Sequence, residues 1–383
     1  EKMSGSEMLL QQWLHLEATC RLDQVRALLD SPQALELRHV STRRGGVEGD
    51  DADANEGALA ERLHDWGTYS SQGVMATMET VAERYLALPP QRRKDQVKFA
   101  KYVQEEHVLV PYLEGLRART RTWCANWDLS VKTREQLRRR RVQSSGAKMF
   151  TNVLDAASYV ASTETDAAAS AAPDACVALQ DIAAIMSSAH YCQRTLDELA
   201  DSDLYLALNQ TMTQTQSSSY DVPESMFDQV SADYGALAHT CSTQMVNAIV
   251  ADLRDAASDY LPHGQLWTAA VRENSAGEGG GGGGRRRGDD GGIEGTEYEV
   301  SGSIIEALEL LRDHLWILSQ FVHPDLRQGM WRKIAKEVDT CFYERVVADT
   351  ALFSPSGAAQ LQVDMAAIKQ LFKPFTARPD NFL

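Results

Sequence analysis

The chain has 383 residues and carries 38 Lys and Arg against 54 Asp and Glu, a formal charge of −16. Such an acidic balance argues against general nucleic-acid binding, which needs a basic face to displace counterions. Hydrophobic residues make up 43% and prolines number only 11, a mixture that suits helix in a chain long enough for two or three domains.

Leu9, Trp13, Leu16 and Cys20 recur at helical spacing and predict one inward face of a first helix, ending near Pro32. Ser41 to Gly57 is polar and rich in Gly and Asp, and reads as a loop. Met75, Met78, Ala82 and Tyr85 predict a second amphipathic helix, stopped by Pro89-Pro90. A long third helix begins near Arg92 with Phe99, Val103 and Val110 inward. Pro111 is expected to kink it, because proline removes an intrahelical hydrogen bond and crowds the preceding turn. Leu129 to Val142 is polar and basic, and Phe150, Val153, Leu154, Ala157 and Val160 form another apolar face. The low-complexity stretch Ala161 to Pro173 reads as a joint between domains.

Leu179, Ile182, Met186 and Ala189 define the next helix, and Gln210 to Val222 a polar loop. Ser225 with Asp228 fits an [ST]-x-x-[DE] helix start in which the hydroxyl caps a free N–H, and Met245, Ile249 and Leu253 continue that helix. Nearly half of the 25 glycines lie between Gly277 and Gly302, a window read as a flexible insertion. Ser303 and Glu306 predict a second capping box. It opens the strongest stripe in the chain: Ile304, Leu308, Leu311, Leu315, Leu318 and Val322, the seam of helix on helix. Trp331, Ile334 and Val338 begin a further helix after Pro324, and Pro355 opens the last from its first turn.

No period-two pattern competes with these helices. The reading is an all-α chain of roughly ten antiparallel helices, stacked as bundles into an elongated rod. Its parts are a middle-rod bundle over 1–165, the start of a second bundle over 166–276, the insertion 277–302, and the rest of the second bundle over 303–383. The apolar end Phe382-Leu383 predicts further chain beyond it. No apolar run reaches the roughly 18 residues that cross a bilayer, and the opening residues do not read as a signal peptide.

Catalytic, cofactor and metal chemistry find no pattern. The six cysteines are scattered without a C-x-x-C pair and read as reduced core thiols. His190 lies two residues from Cys192 and His239 two from Cys241, too little for a metal site without partners from elsewhere. Ser301-Gly302-Ser303 lacks the strand-turn-helix setting of a nucleophile elbow. The glycine run before Arg285-Arg286-Arg287 lacks the Lys and Ser/Thr of a phosphate cradle. Glu105-Glu106 reads as a solvated pair on a helix. The one concentrated basic run is Arg138, Arg139, Arg140 and Arg141, with Lys132 and Arg134 nearby. It is either a solvated helix face or a contact for anionic lipid or an acidic partner.

Several fragments, taken in order, resemble one family. Trp13-Leu14-His15-Leu16-Glu17 is similar to a W-x-x-L-E helix. Val81-Ala82-Glu83-Arg84-Tyr85 with Leu88-Pro89, then Arg93-Lys94 and Gln96, resembles its R-Y…L-P element. Ala156 to Val160 and Ser225-Met226-Phe227-Asp228 resemble later elements, and Leu311-Arg312-Asp313-His314-Leu315 a distinctive L-R-D-H-L. The most specific piece is the run Gly357-Ala358-Ala359-Gln360-Leu361-Gln362-Val363-Asp364. Together they resemble the RINT/TIP family of vesicle-tether subunits, relatives of the exocyst.

That resemblance implies a non-enzymatic scaffold without cofactor, peripheral on the cytoplasmic face of the endoplasmic reticulum (ER). It would sit in a complex that captures Golgi-derived retrograde vesicles and supports SNARE assembly. Implied partners are other tether subunits, ER SNAREs and coated-vesicle components, with no nucleic acid. The competing reading is a peripheral membrane module using Arg138 to Arg141; a helical enzyme is disfavoured. Leu311, Leu315 and Leu318 are expected in the bundle seam, and Gly357, Ala358 and Ala359 where two helices approach closely. The N-terminal coiled-coil section of the family and its last helices are absent from this sequence.

Overall fold

The computed structural model describes residues 5–37, 66–86, 93–146, 175–215, 225–260, 300–348 and 353–376. Ten α-helices occur among them. In chain order they are α1 (Gly5–Asp30), α2 (Tyr69–Leu86), α3 (Arg93–Phe99), α4 (Val110–Gly146), α5 (Ala175–Ala200) and α6 (Asp203–Thr215). α7 (Asp228–Ala256), α8 (Gly302–Phe321), α9 (Pro324–Phe342) and α10 (Pro355–Phe372) complete the set. Two π-helical segments, Ala100–Leu109 and Tyr343–Ala348, join α3 to α4 and extend α9. An isolated bridge between Leu37 and Thr68 is the nearest approach to a sheet among the described residues. The all-α class is therefore as expected.

Packing separates two units: Glu1–Gln244 with Phe321–His323, and Met245–Gln320 with Pro324–Leu383. The division falls inside α7, well beyond the low-complexity stretch 161–173, which lies outside the described residues. Beyond that stretch α5 packs back into the first unit, where Trp123 Nε1 donates to the Ala178 carbonyl at 2.6 Å and Ser188 and Thr68 hydroxyls meet at 2.7 Å.

In the first unit the face of α1 differs from expectation. Leu9 and Leu16 are 69% and 70% exposed, and Cys20 is exposed. The buried stripe is Glu17, Ala18, Arg21 and Val25, with Trp13 tilted onto Phe99 at 4.7 Å between ring centroids. Arg21 Nε donates to Glu17 Oε1 at 2.7 Å and Arg84 of α2 pairs with Glu17 Oε2, so a compensated charge occupies a core position. The end of α1 lies against two glycines. A Cβ on Gly73 would meet Leu28 Cδ2 at 2.6 Å, and one on Gly115 would meet Leu29 Cδ1 at 2.5 Å.

Pro111 takes effect one turn before its own position. It offers no N–H and its ring crowds the carbonyl four residues back. The chain answers with the π segment, in which Val110 N–H bonds to the Glu105 carbonyl. The change of register leaves Val110 39% exposed rather than inward and buries Gln104 instead. Gln104 Nε2 lies 3.0 Å from the Met78 carbonyl and 2.8 Å from the Tyr205 hydroxyl.

In the second unit most of the expected stripe is core: Ile304, Leu311, Leu315 and Leu318 are buried and Leu308 is half-buried, while Trp331, Ile334 and Val338 of α9 are buried. The start of α10 is as read, with Ser354 Oγ accepting from Gly357 N–H at 3.0 Å and Pro355 in the first turn. The Ser225–Asp228 box ahead of α7 also forms, at 2.8 Å from Ser225 N–H to Asp228 Oδ2. The box predicted for Ser303 and Glu306 does not. Helix α8 begins at Gly302, and the residue at its boundary is Ser301, held from a distance by Asp364.

Candidate partner-binding groove and its framing carboxylate

Asp364 of α10 is fully buried. Its carboxylate accepts from the Tyr260 hydroxyl at 3.0 Å, Ser301 N–H at 2.8 Å, Ser301 Oγ at 2.6 Å and Gln360 Nε2 at 3.2 Å. A buried carboxylate is tolerable only when so many donors replace its water. Tyr260 follows the short 3₁₀ turn Ala257–Asp259 at the end of α7, and Ser301 opens α8. One side chain thus holds the two points where the chain leaves α7 and re-enters at α8. Burial first, then the charge of Asp364 and its hydrogen bond, push the Tyr260 phenol well above its usual pKa, so it stays a proton donor.

Beside this clamp, α9 with its π extension and α10 enclose an apolar groove of about 230 Å³. Val338 and Phe342 line one wall; Leu361, Met365 and Ile368 line the other. Phe342 packs on the Tyr260 ring at 5.8 Å between centroids, so the clamp fixes the groove floor. Tyr343 and Val347, 62% and 42% exposed, stand at the mouth, with Asp339 on the α9 side and Lys369 on the α10 side. No cluster of titratable groups converges here. Sequence reading missed the groove, although apolar residues continuing past the core face of α9 were its signal.

A second cavity, within the first unit, has room for about one water, roughly 20 Å³. The His190 and His323 rings lie 4.8 Å apart beside it, and Arg194 Nη1 sits 3.2 Å from His323 Nε2. His239 is exposed while Cys241 is buried, since residues two apart on a helix point to different sides, so that spacing brings no ligand pair together. No disulfide joins the six cysteines. Burial raises the Cys192 thiol, and Cys241 to about 11, which keeps both protonated and unreactive.

The profile of the RINT-1/TIP-1 family matches residues 3–383. The chain belongs to the RINT-1/TIP-1 family. It is similar to the RINT1-like protein MAG2 of Arabidopsis thaliana, at 28% identity over 86 residues, 22% of this chain and 11% of the plant protein. Its fold is similar to that of a chain in the crystal structure of the SNARE Sec20 bound to the Dsl1 complex subunit Tip20. The TM-score is 0.56 at 11% identity, covering 97% of this chain and 46% of that one. The chain therefore spans less than half the length of either relative.

Within this RINT-1/TIP-1 chain the motif residues have separate positions. Leu311 and Leu315 are core; Arg312 and Asp313 pair on the surface at 3.0 Å. His314 of α8 is buried, with Nε2 3.7 Å from Asp252 Oδ2 near the end of α7. Gly357 is buried and Ala359 half-buried, but Ala358 is exposed, so a larger residue at 358 meets solvent rather than a second helix. Gln360 supports Asp364. Glu17 and Arg84, from two different motif fragments, meet in the first unit. The side chains of Arg138, Arg139, Arg140 and Arg141, in the last part of α4, lie outside the described residues.

Proposed function

We propose that the chain is part of a tether subunit that works as a scaffold at the ER. It captures Golgi-derived retrograde vesicles and supports SNARE assembly there. The observation that carries this reading is the family match over residues 3–383, together with an all-α fold similar to that found in the Tip20–Sec20 crystal structure. Helical bundles suit the task physically, because they present long, rigid surfaces on which SNARE helices can lie and require no reactive site. The partners are other tether subunits, ER SNAREs and components of vesicle coats. No helix among the described residues is long and apolar enough to cross a membrane. Association with the cytoplasmic face of the ER is peripheral in this reading.

Affinity purification of the full-length protein from cells tests it. Recovery of tether subunits and ER SNAREs is expected; recovery of a substrate-processing complex instead would overturn it. The basic run Arg138 to Arg141 adds a direct membrane contact to the same reading. Charge reversal there should abolish flotation with anionic liposomes, and unchanged flotation removes that contact from the proposal.

A further inference from the structure

We propose that His190, His323 and Asp325 form a zinc site that fastens the turn around His323 onto α5. One nitrogen of each imidazole and one carboxylate oxygen all lie within 4.8 Å of one another. Tetrahedral zinc, with bonds of about 2.0–2.2 Å, holds its ligand atoms roughly 3.3–3.5 Å apart. The gap that remains is of the size that side-chain rotation closes.

The two imidazoles define the site. Both belong to the first unit, and their rings stand 4.8 Å apart at 61°. His323 is buried, and Asp325 follows it two residues on, in the first turn of α9. Arg194 reveals the protonation state of His323. Its Nη1 lies 3.2 Å from His323 Nε2, and a guanidinium can only donate, so Nε2 must accept. That nitrogen therefore carries the lone pair that ligation requires. Metal binding takes the lone pair from Arg194, and Glu198, one turn further along α5 and lining the same cavity, is spaced to pair with the released guanidinium. The cavity has room for one water, the usual fourth ligand where protein supplies three. Two imidazoles and a carboxylate suit zinc, whereas calcium and magnesium take oxygen ligands. Ser187 Oγ already donates to the Phe321 carbonyl at 3.0 Å, so the metal adds a second tie between this turn and α5.

Calorimetric titration of metal-stripped, full-length protein with Zn²⁺ tests the site. Wild type should bind one more Zn²⁺ per chain than His190→Ala or His323→Ala. Asp325→Asn replaces an exposed side chain and should weaken that site at least roughly tenfold, a loss seen even for residues that only support a ligand. Arg194→Gln removes the competing cation and should tighten it by roughly tenfold. Co²⁺ in the same site should give the strong visible absorption of a four-coordinate ion, absent from the histidine variants. Zinc should also raise the melting temperature of wild type by a few degrees and leave His190→Ala unmoved. Should His323→Ala fail to fold, the half-buried His190 and exposed Asp325 variants decide the matter alone. Equal stoichiometry and affinity in wild type, His190→Ala and Asp325→Asn would overturn the site, as would a wild type that binds no zinc. None of these outcomes bears on the recovery of tether subunits, so the two proposals stand or fall separately.

Discussion

Tyr260 donates its hydroxyl to Asp364 at 3.0 Å across 104 residues of sequence, and the same carboxylate holds Ser301 at the head of α8. Replacing the acceptor strands several buried donors at once. Asp364→Ala should cost about 3 kcal/mol, and Tyr260→Phe about 1–2 kcal/mol, read as shifts in urea midpoint at constant m-value. Equal and small losses for both would show that the carboxylate is not the centre of the cluster.

Alkaline stability should fall early. Burial raises the phenols of Tyr112, Tyr234 and Tyr260 above their usual 10.0, and Tyr205 to about 12. Cys241 rises likewise from 9.0 to about 11. In the unfolded chain these groups release protons at ordinary values, while the folded chain retains them. Above about pH 9 the unfolded state binds fewer protons, so stability drops as pH rises, and below that the contribution is fully present. Denaturation midpoints should stay flat from pH 7 to about 8.5 and decline toward about 12. Tyr205→Phe loses its bond to Gln104, about 1 kcal/mol at neutral pH, yet should flatten the slope between about pH 10 and 12. An identical slope in the variant would remove Tyr205 from the account.

The Glu17 cluster gives a mutational cycle. The Glu17 and Arg21 side chains are 6% and 5% exposed, so Glu17→Ala leaves a guanidinium buried without its acid and should cost about 3–5 kcal/mol. Arg84 is 48% exposed, and Arg84→Ala should cost no more than about 1 kcal/mol. In an Arg21→Met background the Glu17→Ala penalty should shrink. Strict additivity would show that the pair is not coupled.

These cases mark what sequence could and could not disclose. The stripe Ile304, Leu311, Leu315 and Leu318 was legible because apolar side chains at helical spacing have one physical use, and the structure buries them. The cap at Ser225 and the start of α10 at Pro355 were legible because their determinants are local. Helix α1 was not, since its buried stripe contains Glu17 and Arg21 and a count of apolar residues selects the exposed Leu9 and Leu16 instead. The Ser303 box failed because Asp364, 63 residues beyond Ser301, outcompetes a local acid for the helix start. Asp364 itself stood out in the most specific motif, but its donors are set by tertiary packing. The groove depends on a π register at Tyr343–Ala348 that no periodicity announces.

Close approach can be tested where glycine permits it. With Leu29 Cδ1 only 2.5 Å from a hypothetical Cβ on Gly115, Gly115→Leu should overpack the α1–α4 contact by about 1–3 kcal/mol. Gly115→Ala should be near neutral, because the gain in helix propensity of about 1 kcal/mol offsets a shift of the mobile Leu29 end. Combining Gly115→Leu with Leu29→Ala should recover part of the loss in thermal melts. No recovery would place the clash elsewhere.

The glycine-rich stretch between Tyr260 and Ser301 should be nearly neutral to shortening, because Asp364 fixes both of its ends and closure entropy grows only with the logarithm of length. Deleting residues 277–292 leaves enough chain to connect the anchors and should stabilise by on the order of 0.5 kcal/mol. In melting temperature that is a rise of at most about 2 °C. Extending the deletion through Ser301 removes two of the Asp364 contacts and should reverse the sign, lowering the transition by several degrees. A large loss from the shorter deletion alone would mean that the segment contributes packing of its own, and that the carboxylate is not what holds α7 and α8 in register.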